Sequence, residues 1–146
     1  MQTEYTFVID TNKYAGNFER NMCAFLTGIT ADYGVGTTEA KKFEKRFGKE
    51  KVDEMERYVE FRYEDGWERP TIMYLTPSKY KCEDYCSVAI FFYIKPSKEI
   101  IEIMRQRAEE FTQDKSQSWN KKESIKILGF RLIKRTTTCK VEEIEI

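Results

Sequence analysis

The chain has 146 residues, 34% of them charged, and 25 Lys and Arg balance 25 Asp and Glu, so no net field draws it to nucleic acid or to an anionic membrane. It contains no histidine, which removes the usual general base, the usual activator of a Ser or Cys nucleophile and the commonest metal ligand together, and so excludes Ser-His triads and His-zinc sites. The length suits a single domain that buries about two-thirds of its unfolded surface, with 40% hydrophobic and 14% aromatic residues to build the core.

Met1 to Asp10 carries neither a basic n-region nor an apolar h-region, and the longest apolar run, Val88 to Ile94, is far short of a bilayer span. A cytoplasmic protein with no membrane partner is therefore expected. In that reducing compartment the four cysteines are expected to be free thiols.

In chain order, Tyr5, Phe7 and Ile9 alternate with Thr6 and Val8 at the period of a strand. After the polar stretch Asp10 to Gly16, the residues Phe18, Met22, Phe25, Leu26 and Ile29 recur at helical spacing, with Asn17 as cap and Gly28 near the stop. Thr38 can cap a second helix with Ala40, Phe43 and Phe47 on one face, ended by Gly48. Val52, Met55 and Val59 continue a helical phase, and Val59, Phe61 and Tyr63 switch to strand period near Arg57 or Tyr58.

Asp65-Gly66 between Tyr58 to Glu64 and Thr71 to Leu75 predicts a hairpin, with Pro70 at an edge or loop entry. Val88 to Ile94, apolar on both faces, predicts a central strand covered on each side. Pro96 and Ser97 introduce a helix over Lys98 to Gln113 with the stripe Ile100, Ile101, Met104, Ala108 and Phe111. Beyond a polar loop, Ile125 to Lys134 and Thr136 to Ile146 read as two strands, the last with Glu142, Glu143 and Glu145 against Ile144 and Ile146. The order β-α-α-β-β-β-α-β-β predicts the α+β class, a mainly antiparallel or mixed sheet with about three helices packed on it.

The densest polar segment is Asp10 to Arg20, between a strand end and a helix start. A helix N-terminus offers free N–H groups and partial positive charge. Asn12 and Asn17 can read polar edges there, Lys13 and Arg20 can pair a phosphate or carboxylate, and Asp10 and Tyr14 complete the candidate ligand- or partner-binding set. The competing reading is an Asx-rich connection whose side chains satisfy their own backbone.

Other constellations are weaker. Cys82 and Cys86, with Cys23 and Cys139, have a permissive but unspecific zinc spacing, and lone cysteines on a helix face or in a strand are more often small core residues. Lys42, Lys45, Arg46 and Lys49 form a basic stripe diluted by Glu39, Glu44 and Glu50, as on an ordinary solvated helix face. Trp67 and Trp119 fall in predicted loops as partner anchors or core caps.

Phe7-Val8-Ile9-Asp10-Thr11-Asn12 resembles the opening of a PIN-domain nuclease, which implies that Asp10 helps to bind a catalytic divalent metal. Glu39 and Asp84 would be the further carboxylates by position, but the run of consecutive strands departs from that family's α/β alternation. Asp10 to Arg20, followed by Met22-Cys23-Ala24-Phe25 and Thr27-Gly28, resembles a segment of small bacteriophage accessory proteins of uncharacterised function. That resemblance implies a phage product acting in the host cytoplasm, which counters bacterial defence by binding a host protein or sequestering a small nucleotide signal. The expectation is thus a non-enzymatic binding protein without a cofactor. Its partner is a host defence protein or a small anionic nucleotide, nucleic acid is not an expected partner, and a homo-oligomer is compatible with the sequence.

Overall fold

A computed structural model describes residues 2–12, 24–29, 37–60, 62–64, 67–69, 71–74, 87–113 and 126–145. Its elements are β1 (Gln2–Thr11), α1 (Thr37–Phe47), α2 (Lys49–Tyr58), β2 (Val59–Glu60), β3 (Arg62–Glu64), β4 (Trp67–Arg69), β5 (Thr71–Tyr74), β6 (Ser87–Phe92), α3 (Lys98–Gln113) and β7 (Ile127–Thr137). Residues 24–27 are also helical. The class is α+β, as the pattern of elements predicts.

Every strand pair is antiparallel. β1 lies between β6 and β7, and the far side of β6 carries β2 and then β5. β1 therefore runs parallel to β2 with β6 between them, and β6 runs parallel to β7 with β1 between them. Helices make both crossovers. These are two interlocked split β-α-β units, the ferredoxin-like arrangement.

β2 and β5 are two parts of one line of pairing. Glu60 pairs with Phe91 and Thr71 pairs with Ile90, adjacent residues of β6, so residues 61–70 are looped out of a strand that resumes without losing register. Within that excursion β3 and β4 pair across Asp65-Gly66, with Glu64 opposite Trp67. The hairpin signal at Asp65-Gly66 is realised, but its second strand is Trp67–Arg69 and not Thr71 to Leu75. Trp67 is thus a strand residue.

The alternation along β1 sorts its side chains to two faces. Phe7 and Ile9 join Val88, Ile90 and Phe92 in a core with Phe43, Met55, Ile100, Met104, Ala108 and Phe111 from the helices. On the opposite face Val8, Ala89 and Phe91 form a second buried cluster with Ile133 packed against it. β6 is paired on both edges and buried on both faces as its apolar run predicts, but only as far as Phe92: Tyr93 and Ile94 lie beyond the strand and are exposed.

Local chemistry fixes the helix ends. Gly28 takes φ 75° after the helical residues 24–27, its N–H donating to the Ala24 carbonyl. Gly48 takes φ 91° between α1 and α2, a backbone state that side chains disfavour. Ser97 caps α3, its Oγ accepting from the Ile100 N–H at 3.2 Å.

The C-terminal region differs from the expected pair of strands. One strand, β7, runs through Arg135 to Thr137, and residues 138–145 belong to no helix or strand and are all exposed. Cys139 is accordingly an exposed thiol beyond the strand. Long-range pairing with β1 sets the end of β7: its last residue sits opposite Gln2, at the start of β1.

Candidate functional site

Asp10 and Asn12 meet β7 where β1 leaves the sheet. Asp10 projects on the same face as Val8, away from the helices, and is fully buried. The Arg131 Nε donates to Asp10 Oδ2 at 2.8 Å and its Nη2 to Oδ1 at 2.9 Å, a two-pronged ion pair. The register places Gly129 directly opposite Asp10 and Arg131 opposite Val8.

The pairing then shifts, with Thr11 opposite Ile127, so Leu128 is an extra residue at a bulge. Asn12 closes the seam. Its N–H donates to the Lys126 carbonyl at 3.0 Å, and the Lys126 N–H donates to Asn12 Oδ1 at 2.8 Å. The two site residues that the structure describes are thereby brought together as a frame. Lys13, Tyr14, Asn17 and Arg20 lie outside the described residues, as do Asp84, Trp119, Cys23, Cys82 and Cys86.

The chemistry of this frame is that of a neutralised anion. A carboxylate with both oxygens held by a guanidinium is oriented and screened. Among the described residues no group of three His, Cys, Asp or Glu is placed to hold a metal ion.

A second charged constellation joins the helices. Arg107 is buried on α3, where its Nε donates to the Phe25 carbonyl at 2.9 Å and its Nη1 to Glu110 Oε2 at 2.7 Å. Its guanidinium lies 3.7 Å from the Phe25 ring centroid. From α1, Arg46 Nη1 reaches both Glu110 oxygens at 2.8 and 3.0 Å. Burial pushes the Glu110 carboxyl up, but the hydrogen bonds and charges of Arg46 and Arg107 together outweigh it and hold the group below its ordinary value. Burial also lowers Arg107, which Glu110 opposes. Glu110 is therefore an acceptor locked between two cations and a weak proton acceptor.

Glu39, at the start of α1, has one buried oxygen, Oε2, without a hydrogen bond, while its Oε1 stands 3.8 Å from Lys42. Of the basic stripe, Arg46 is bound to Glu110 and Lys42 faces Glu39, which leaves Lys45 and Lys49 on the solvated face. Lys51 bridges helices: it contacts Glu54 of α2 and Glu99 of α3, each at 2.9 Å, and its hydrogen bonds, to Glu54 and then to Glu99, raise its pKa.

The stripe read from sequence on α3 omits Arg107. The signal was present, because Arg107 falls seven residues after Ile100 and four before Phe111, in phase with the apolar face. No helix among the described residues is long and apolar enough to cross a membrane. Comparison with protein-family models, with curated proteins and with solved structures gave no match.

Proposed function

We propose that this chain is a non-enzymatic binding protein whose working segment is Asp10 to Arg20. The resemblance of that segment to small bacteriophage proteins supports a phage-encoded inhibitor of bacterial defence. It acts in the host cytoplasm, by occupying a host protein or by sequestering a small nucleotide-like signal. The observation that carries the reading is the two-pronged Asp10–Arg131 pair. It turns the one carboxylate that a nuclease would need at this strand end into a structural anchor, and with Asn12 it gives the following residues a fixed point of departure.

A thermal-shift panel of cyclic and linear nucleotides tests the ligand version, since a ligand that binds only the native state raises its melting temperature by mass action. The shift is expected to vanish in a Lys13→Ala/Arg20→Ala variant with an unchanged circular dichroism spectrum. Where no nucleotide shifts the protein, pull-down from bacterial lysate should recover one host protein with the full chain and lose it with the same variant. Cleavage of RNA or DNA that requires Mg²⁺ or Mn²⁺ and disappears in a folded Asp10→Asn protein would overturn the non-enzymatic reading.

A further inference from the structure

The segment after β7 carries β-branched residues suited to a strand and, among the described residues, pairs with none. Residues 138–145 belong to no element, yet Val141 is 90% and Ile144 82% exposed, and Glu143-Ile144-Glu145-Ile146 alternate at the period of a half-buried strand. Beside it lies an edge that lacks a neighbour. β7 ends the sheet, and among the described residues no strand pairs with its outer side. Leu128 and Leu132 are partly exposed there, at 37% and 41%.

The charges of the two are opposite. From Lys126 to Lys140 the chain has Lys126, Arg131, Lys134, Arg135 and Lys140 and no acidic residue, whereas Glu142, Glu143 and Glu145 follow. Asp10 and Glu4 engage Arg131 and Arg135. Lys134 is exposed and forms no ion pair among the described residues. Direct pairing of β7 with β7 of another copy would gather these cations, an arrangement that edge lysines disfavour.

Nor does the segment have the means to fold back on its own β7. Thr138-Cys139-Lys140 contains none of the Gly, Asn, Asp or Pro that a tight hairpin uses. A segment that instead continues the line of β7 meets, antiparallel, the β7 of a copy related by a two-fold axis. We propose that residues 138–145 of one chain add as a strand to the outer edge of β7 of a second copy, reciprocally, to form a dimer. With the axis at Thr138, Glu142 faces Lys134, Ile144 faces Leu132 and Glu145 faces Arg131 of the other chain. That register sets two of the three glutamates against cations and covers the exposed leucine.

Sedimentation velocity and native mass spectrometry over a concentration series test it. The full chain is expected to dimerise reversibly, and truncation after Thr137 should leave a folded monomer. Lys134→Glu and Glu142→Lys should each weaken the dimer by about tenfold. Mixing the two variants should restore association, because in the heterodimer both symmetry-related pairs become opposite in charge. A full chain that stays monomeric, a dimer that survives truncation, or variants that fail to rescue each other would each overturn the exchange.

Discussion

Arg107 occupies a core phase of α3 because three groups compensate its burial: the Phe25 carbonyl, Glu110 and the faces of Phe25, Phe43 and Phe47. Arg107→Met keeps the volume and removes the donors, so we expect a loss of about 3 kcal/mol by urea denaturation. Arg46→Met, on a side chain 45% exposed, should cost less than about 1 kcal/mol. Since Glu110 is held below its ordinary value in the fold, it contributes stability above the unfolded carboxylate pKa, and that contribution disappears as pH falls through the folded one. Glu110→Gln should therefore flatten the acid limb of a stability-against-pH curve. The two left-handed glycines separate strain from crowding. A Cβ on Gly48 meets nothing within 4 Å, so Gly48→Ala should cost about 1–3 kcal/mol of backbone strain alone. A Cβ on Gly28 would lie 2.7 Å from Phe43 and 2.9 Å from Val52, and Gly28→Ala should lower the melting temperature further. Residue-level legibility followed distance along the chain. Gly28, Gly48, Ser97 and even Arg107 announce themselves within one turn of helix, whereas Asp10 and Arg131 stand 121 positions apart and meet only through the β1–β7 register.

Among the elements, the interrupted strand β2–β5 makes the sharpest prediction. Glu60 and Thr71 already stand against neighbouring residues of β6, so excision of residues 61–70 should join them into one strand of six residues. Cooperative thermal unfolding and an unchanged sheet signature in circular dichroism are expected. Loss of cooperativity would show that the excursion is needed for the fold. The same region shows where element reading from sequence stops. Asp65-Gly66 marks the turn correctly because its cause is local. Which of Trp67–Arg69 and Thr71–Tyr74 partners β3 is decided by β6, whose Ser87–Ile90 pairs with Thr71–Tyr74. β1, α1, α2 and α3 were legible from period and punctuation. The alternation Glu143-Ile144-Glu145-Ile146 states a strand tendency, yet residues 138–145 form no strand.

For the molecule as a whole, a sheet with β6 and β1 at its centre and helices on one face should open from its margins inward. In native-state hydrogen exchange the amides of Phe7–Ile9 and Val88–Phe92 should be the last to exchange, and those of residues 138–145, in the full chain diluted to its monomer, the first. The fold class and layer arrangement were readable from the order of elements. The sheet order was not, because either crossover could have placed its second strand beside the first.

That sheet order also has a temporal side. β1 is made first, yet both of its neighbours, β6 at Ser87–Phe92 and β7 at Ile127–Thr137, are made much later. On the ribosome its apolar residues must wait unpaired until β6 is made. Asp10 waits for β7, since its counter-ion is residue 131. Arg131 thus acts as a latch that closes only once β7 is made, and the sequence-distant contacts that complete the sheet should limit its folding rate.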